Sequence, residues 1–196
     1  MRKILFLLLP FLLFAKAEIL AISWQKSFCK LNHSPECKYS KNYDYFTLHG
    51  VWVKKEYCKG VKNFRLPNKF WRELKKVMPS TKLIKHEWRK HGTCYSKDPF
   101  IYFRDSLKLL NVINSSPILK FFRDNEGKII RKEQLNRVIN RVFPNSARKV
   151  KMICKSGYVV ELRFSLNGDI EKDSFYQMLK KGKNLIGNCE KGRIAE

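Results

Sequence analysis

Apolar residues along the chain repeat with two periods, and the elements follow from which period holds where. From Phe46 to Trp52 the run FTLHGVW is aromatic and β-branched enough to predict a mostly buried strand, yet a histidine stands at its centre. Strand character returns from Val150 to Ile153 and from Tyr158 to Leu166, where Tyr158, Val160, Leu162, Phe164 and Leu166 alternate with polar partners; Asn167 and Gly168 then predict a turn. Helical spacing governs the remainder. Phe70, Trp71, Leu74, Val77 and Met78 predict a helix capped by Asn68 and closed by Pro79. A short helix is expected from about Lys85 to His91, stopped by Gly92. Asp98 followed by Pro99 is a cap and a first-turn proline, so a third helix should carry Ile101, Phe103, Leu107 and Leu110. Leu135, Val138, Ile139 and Val142 predict a fourth, ending before Pro144. Strands and helices mix without a regular βαβ rhythm, which predicts an α+β fold with a central antiparallel sheet and surrounding helices.

The first residues stand apart. Arg2 and Lys3 precede an apolar run from Ile4 to Phe14, and Ala15, Lys16 and Ala17 form a small-x-small site, so residues 1–17 read as a cleavable secretory signal and the mature chain as starting at Glu18. Eleven apolar residues fall short of the roughly 20 that span a bilayer, so no stable membrane insertion is expected after cleavage. Residues 18–196 suit a single domain, with no linker, repeat or low-complexity tract to divide them. The expected location is periplasmic or secreted, and the expected form is a monomer.

All six cysteines, Cys29, Cys37, Cys58, Cys94, Cys154 and Cys189, follow the signal, and an even number in an exported chain predicts disulfides. Zinc is the alternative, but no C-x-x-C pair exists. The pairing is open from the residues alone, although Cys29 with Cys37 makes a plausible local loop. Charge adds a partner class. Forty-one basic residues against 17 acidic give +24, and +21 once Arg2, Lys3 and Lys16 leave with the signal. Such a field draws polyanions: nucleic acid, anionic lipid or acidic polysaccharide. A merely solvated lysine-rich surface is the plain alternative.

Candidate chemistry gathers in two short runs. The chain has four histidines; one is His49 at the centre of FTLHGVW, and His86 and His91 both lie in HEWRKHGTC. On a helix advancing about 100° per residue, Lys90, Glu87 and His91 fall within about 140° of His86, so four polar groups share one broad face while Trp88 points away as an anchor. The likeness to H-E-x-x-H is superficial: the histidines are five apart instead of four, and Lys90 puts a cation beside any metal. No metal and no cofactor is expected. Paired imidazoles suit proton transfer near neutrality, and lysine with a further imidazolium suits binding of phosphate oxygens. Glu87 should offset the surrounding positive charge and raise histidine pKa values. No serine or cysteine is placed as nucleophile, so the substrate must supply one; RNA does, through its 2′-hydroxyl, and DNA does not.

These two runs closely resemble the active-site segments of the ribonuclease T2 family, close to FTLHGLW and HEWxKHGTC; ISWQKSFC and Met78-Pro79-Ser80 are similar to it as well. The resemblance covers much of the stretch from Ile22 to Cys94, and beyond it only Cys154 and Cys189. It implies that His91 is the general base taking the 2′-hydroxyl proton and that His49 is the acid protonating the 5′-oxygen, leaving a 2′,3′-cyclic phosphate. By the same resemblance His86 binds phosphate, Glu87 and Lys90 steady the transition state, and Trp52 helps hold a base. It further implies pairing of Cys58 with Cys94 and of Cys154 with Cys189, leaving Cys29 to Cys37. A regular strand, however, puts Trp52 with Phe46, Leu48 and Gly50, opposite His49, unless the strand bends after Gly50. Val53 and Lys54 stand where the family motif continues with proline and an acidic residue, which weakens any inherited base preference. His33 reads as a surface histidine.

The expectation is therefore an exported, metal-independent endoribonuclease acting on single-stranded RNA with low base specificity. Its rivals are an inactive nucleic-acid-binding relative and a cationic protein acting on membranes or glycans through charge alone.

Overall fold

The computed structural model describes residues 17–38 and 40–196. The predicted signal lies outside them except for Ala17. The chain runs through β1 (Ala17–Trp24), α1 (Gln25–Leu31), β2 (Phe46–Trp52), α2 (Asn68–Val77) and α3 (Thr81–Glu87), then a π turn (Trp88–Gly92) and the single turn α4 (Thr93–Tyr95). It continues through α5 (Pro99–Asn114), α6 (Pro117–Asp124), β3 (Ile129–Arg131), α7 (Lys132–Val142), β4 (Val150–Lys155), β5 (Tyr158–Gly168), α8 (Phe175–Lys181) and β6 (Lys191–Arg193). The strands form one sheet in the order β2-β1-β5-β6-β3, with β4 also on β5. Its pairs are antiparallel except β5 with β6, which meet in parallel at Tyr158 and Arg193. The α+β fold with a central, mainly antiparallel sheet is thus the observed one.

The periodic segments form where expected, with corrections at their ends. Asp98 caps α5 through Phe100 N, at 2.8 Å, and Tyr102, Phe103, Leu109, Leu110 and Ile113 are its buried stripe. In α2 the cap is Pro67, not Asn68, which is already helical. β5 runs on through Asn167 and Gly168, because Ala17 of β1 still pairs with Gly168; the turn comes after it. β1 went unpredicted: a central strand is buried on both faces and shows no alternation. α6 and α8 were also unpredicted, although Ser116 before Pro117 caps one and Ser174 with Gln177 forms a capping box for the other.

One core joins sheet and helices, with Trp24, Phe46, Phe122, Leu48, Ile84, Trp88 and Phe164 fully or almost fully buried. Lys26 of α1 is buried between Asp44 and Glu126, at 2.6 and 2.8 Å, and ties the segment before β2 to the turn before β3. Among the described residues no helix is long and apolar enough to cross a membrane.

The three disulfides are Cys29–Cys37, Cys58–Cys94 and Cys154–Cys189. Cys58–Cys94 closes a separation of 36 residues and fastens the basic loop after β2 to the helix that follows the π turn. Replacing both cysteines by serine is expected to lower the unfolding free energy by about 2–4 kcal/mol, read from urea denaturation of the variant against the parent.

Candidate active site

β2 carries His49 on a bulge. Ala21 of β1 lies opposite Gly50, but the next residue, Ile22, lies opposite Leu48, so His49 is an extra residue on β2. An inserted residue resets the alternation of everything beyond it. Gly50 and Trp52 therefore turn to the face of His49, and the Trp52 ring sits edge-on to the His49 ring at 5.5 Å. This is the bend that the strand needed for Trp52 to join the site.

The second run is folded differently from its prediction. Its helix starts at Thr81 under a Ser80 cap that accepts from Leu83 N, and Gly92 does not stop it. Instead Thr93 N–H reaches back five residues to Trp88 O, so the helix widens into a π turn and continues through Thr93–Tyr95. The wider turn shortens the angular step and brings His91 back toward the face of His86. Gly92 is there for packing: a β-carbon on it would lie 2.2 Å from the Trp88 ring. Trp88 is buried, as its anchoring role requires, and donates from Nε1 to Val61 O at 2.6 Å. That bond, Tyr57 N–H to Lys90 O at 2.8 Å and the Cys58–Cys94 bridge hold the loop after β2 against the π turn.

The catalytic candidates converge around Trp52. Its ring stacks on His91 at 5.7 Å and its Nε1–H donates to Glu87 Oε2 at 3.0 Å. Glu87 Oε1 in turn lies 3.8 Å from His49 Nε2 and 4.0 Å from His86 Nε2. Lys90 and His91 sit 3.5 and 4.0 Å from Glu56 Oε1. His33, by contrast, is exposed. Gly50 makes the approach possible, since a β-carbon there would stand 2.0 Å from Glu87 Oε2.

The two outer histidines are pushed in opposite directions. Burial lowers the pKa of His91 to about 4, reinforced by the charges of Lys90 and His86 and only partly offset by Glu56. Its Nδ1 is buried without a hydrogen-bond partner, which leaves Nε2, on the side of Glu56, as the nitrogen that can exchange a proton. For His49 burial is again the largest influence and lowers its pKa, but the hydrogen bond and charge of Glu161, with the charge of Glu87, outweigh it and the net shift is upward. His86, more exposed, is lowered by burial and by Lys90 and Arg89. Burial raises Glu87 to about 7 against the pull of His49 and the Trp52 bond.

The residues behind this were not picked out from the sequence. Glu161 Oε2 lies 2.5 Å from His49 Nδ1, and Arg163 pairs with Glu161 while its guanidinium lies 4.6 Å from the Trp52 ring centroid. The carboxylate expected to raise histidine pKa values was Glu87; for His49 the larger effect comes from Glu161. A signal existed in the alternation of β5, where Glu161 and Arg163 share one face of a long strand. Beside His49 a cavity of about 220 Å³ opens between α1, β2, α3 and β5, lined by Gln25, Phe28, Thr47, Leu83 and Val160.

A bulged strand and a widened helix that set two oppositely tuned imidazoles around one tryptophan define an α+β protein equipped for acid–base catalysis. The chain belongs to the Ribonuclease T2 family, whose match covers residues 16–189, and it is an endoribonuclease of that type. It is similar to Ribonuclease I of Escherichia coli K12, with 26% identity over 200 residues, 77% of this chain and 75% of that one. To Ribonuclease T2 of Danio rerio it is 33% identical over 117 residues, 52% of this chain and 46% of the other. Among solved structures, the self-incompatibility-associated SF11-RNase of Nicotiana alata matches with a TM-score of 0.70 at 20% identity, covering 93% of this chain and all of that one. An RNase-related protein from Calystegia sepium gives 0.69 at 16%, covering 92% and 97%. At those identities the two structures speak for the fold.

Proposed function

We propose that the protein is an exported, metal-independent, monomeric endoribonuclease that cuts single-stranded RNA by internal transphosphorylation, with low base specificity. The observation that carries this reading is the opposed tuning of His49 and His91, since two titratable groups whose environments drive their pKa values apart divide the acid and base roles between them. His91, neutral through most of the pH range, takes the proton of the 2′-hydroxyl. That oxygen attacks phosphorus, the 5′-oxygen departs with a proton from His49, and a 2′,3′-cyclic phosphate remains. Lys90 opposes the charge that builds on the phosphate oxygens, and His86 donates a ring N–H to them. Glu87, raised to about 7, is protonated often enough to donate from Oε1 to a phosphate oxygen while Trp52 holds Oε2. Metal independence rests on the donor set, with histidines five apart and a lysine between them.

Trp52 is proposed to contact a base, which would displace the Arg163 guanidinium from its ring, and the cavity beside His49 has room for a second base between Phe28 and Leu83. The basic excess recruits the polyanion without reading its sequence. Export is supported by the leader and by six cysteines that all pair.

A defined RNA and the same sequence as DNA, incubated with the protein and a chelator, provide the test. RNA fragments ending in cyclic phosphate are expected, with DNA intact; DNA cleavage, or RNA cleavage lost to the chelator, would refute the reading. The pH profile of kcat/KM follows with its signs fixed. Activity requires His91 neutral and His49 protonated, so it should fall as pH drops through about 4, the pKa of His91. It should fall again as pH rises through the raised pKa of His49, above the ordinary 6.5. A broad bell is expected; a narrow one centred near 6.5 would contradict the opposed tuning.

A further inference from the structure

We propose that Glu161 is a positioning residue for the proton donor, fixing the tautomer and orientation of the His49 imidazole so that its Nε2 presents the proton to the departing oxygen. The inference rests on the reading of His49 as the acid, and it concerns a residue on an element that neither histidine-bearing run contains. β2 and β5 are not neighbours in the sheet, because β1 lies between them. Ala21 and Ser23 are the residues that β1 turns to this face, opposite Arg163 and Glu161 on one side and Gly50 and Thr47 on the other. Both are small, and over them the side chains of His49 and Glu161 meet.

The contact fixes a tautomer. Glu161 is buried, with one oxygen taken by Arg163 and the other by His49 Nδ1. A carboxylate only accepts, so Nδ1 carries a hydrogen in both protonation states of the ring, and the proton that comes and goes is the one on Nε2. Nε2 points into the site, 3.8 Å from Glu87 Oε1. Glu87 cannot do the same work, since it lies on the reacting side of the ring. Other groups facing the imidazole are Arg163 of β5, His86 of α3, His91 of the π turn and Glu36 across the adjoining cavity; Glu161 alone among these is hydrogen-bonded to it. Arg163 closes the arrangement by holding the carboxylate while lying on Trp52.

The experiment compares two substrates with the full-length protein. One is a dinucleoside phosphate, whose nucleoside leaves only when protonated. The other is a uridine 3′-nitrophenyl phosphate, whose phenolate leaves without a proton. Glu161→Gln is expected to lower kcat/KM on the dinucleotide by about 10- to 100-fold, the range for loss of an orienting partner. It should change the aryl ester by less than about threefold and move the basic limb of the profile down by about one pH unit. Equal loss on both substrates with an unmoved basic limb would mean simple packing and would overturn the inference. His49→Ala separates the two levels: equal loss on both substrates refutes the acid role itself. If His49→Ala spares the aryl ester while Glu161→Gln leaves both substrates and the limb unchanged, that role stands and the Glu161 inference falls. Should Glu161→Gln not fold, nitrogen NMR of the parent decides. Neutral His49 protonated on Nδ1 is expected; protonation on Nε2 instead would refute the proposal.

Discussion

Replacing His91 with alanine is expected to abolish useful cleavage, lowering kcat/KM on RNA by about 10³- to 10⁴-fold, near the upper end of what a positioned general base contributes. The same change should leave binding of a 2′-O-methyl RNA of equal sequence within about twofold, because attraction comes from the distributed charge of the chain. His91 is 3% exposed, so alanine leaves a space beside Trp52, and the melting temperature must be measured alongside to separate lost chemistry from lost structure. His49→Ala should produce a loss of similar size on RNA. The double variant should be little worse than either single one, since groups that act in one proton transfer sequence are not additive. Near-parental turnover by His91→Ala would remove the base from the scheme. A binding protein without catalysis, the nearest rival, predicts no cleavage in the parent either.

Gly50→Ala is the second large effect, and it tests geometry instead of chemistry. The added methyl would need the space of Glu87 Oε2, 2.0 Å away, on an edge strand held by its pairing with β1. Glu87 must swing out, which breaks its bond from Trp52 and removes its carboxyl from His49 and His86. We expect a loss of about 10²- to 10³-fold in kcat, the usual cost of displacing one charge-stabilising group, and about 1–3 kcal/mol of stability from overpacking. Combining Gly50→Ala with Glu87→Ala clears the collision, so the double variant should regain most of the stability while remaining inactive. Additive stability losses would show that the methyl meets some other obstacle.

Glu56 shows how the loop after β2 reaches the candidate site. From the sequence this stretch is a basic connector, and Val53 and Lys54 break the family pattern. Held by Tyr57, Cys58 and the Trp88 indole, the loop nevertheless returns a carboxylate to Lys90 and His91. A residue four places beyond the strand thereby reaches Lys90 and His91, which no local pattern announces.

The sequence by itself determined which groups are the candidates for the chemistry. Histidine, glutamate and lysine in FTLHGVW and HEWRKHGTC, six cysteines and a strongly basic chain were enough to propose a chemistry, because side-chain type fixes what a group can donate, accept or carry. It determined the amphipathic helices as well, since burying one face imposes a period that the chain must display. Three things only the tertiary structure decided: the face of Trp52, the turn that carries His91, and the carboxylate behind His49. The first depends on an extra residue opposite β1, the second on a hydrogen bond from Thr93 back five positions to Trp88, and the third on a strand more than a hundred residues away. Each is a matter of register or of long-range packing, and a one-residue change in register reverses a side chain's direction while leaving the local pattern of apolar and polar residues unaltered.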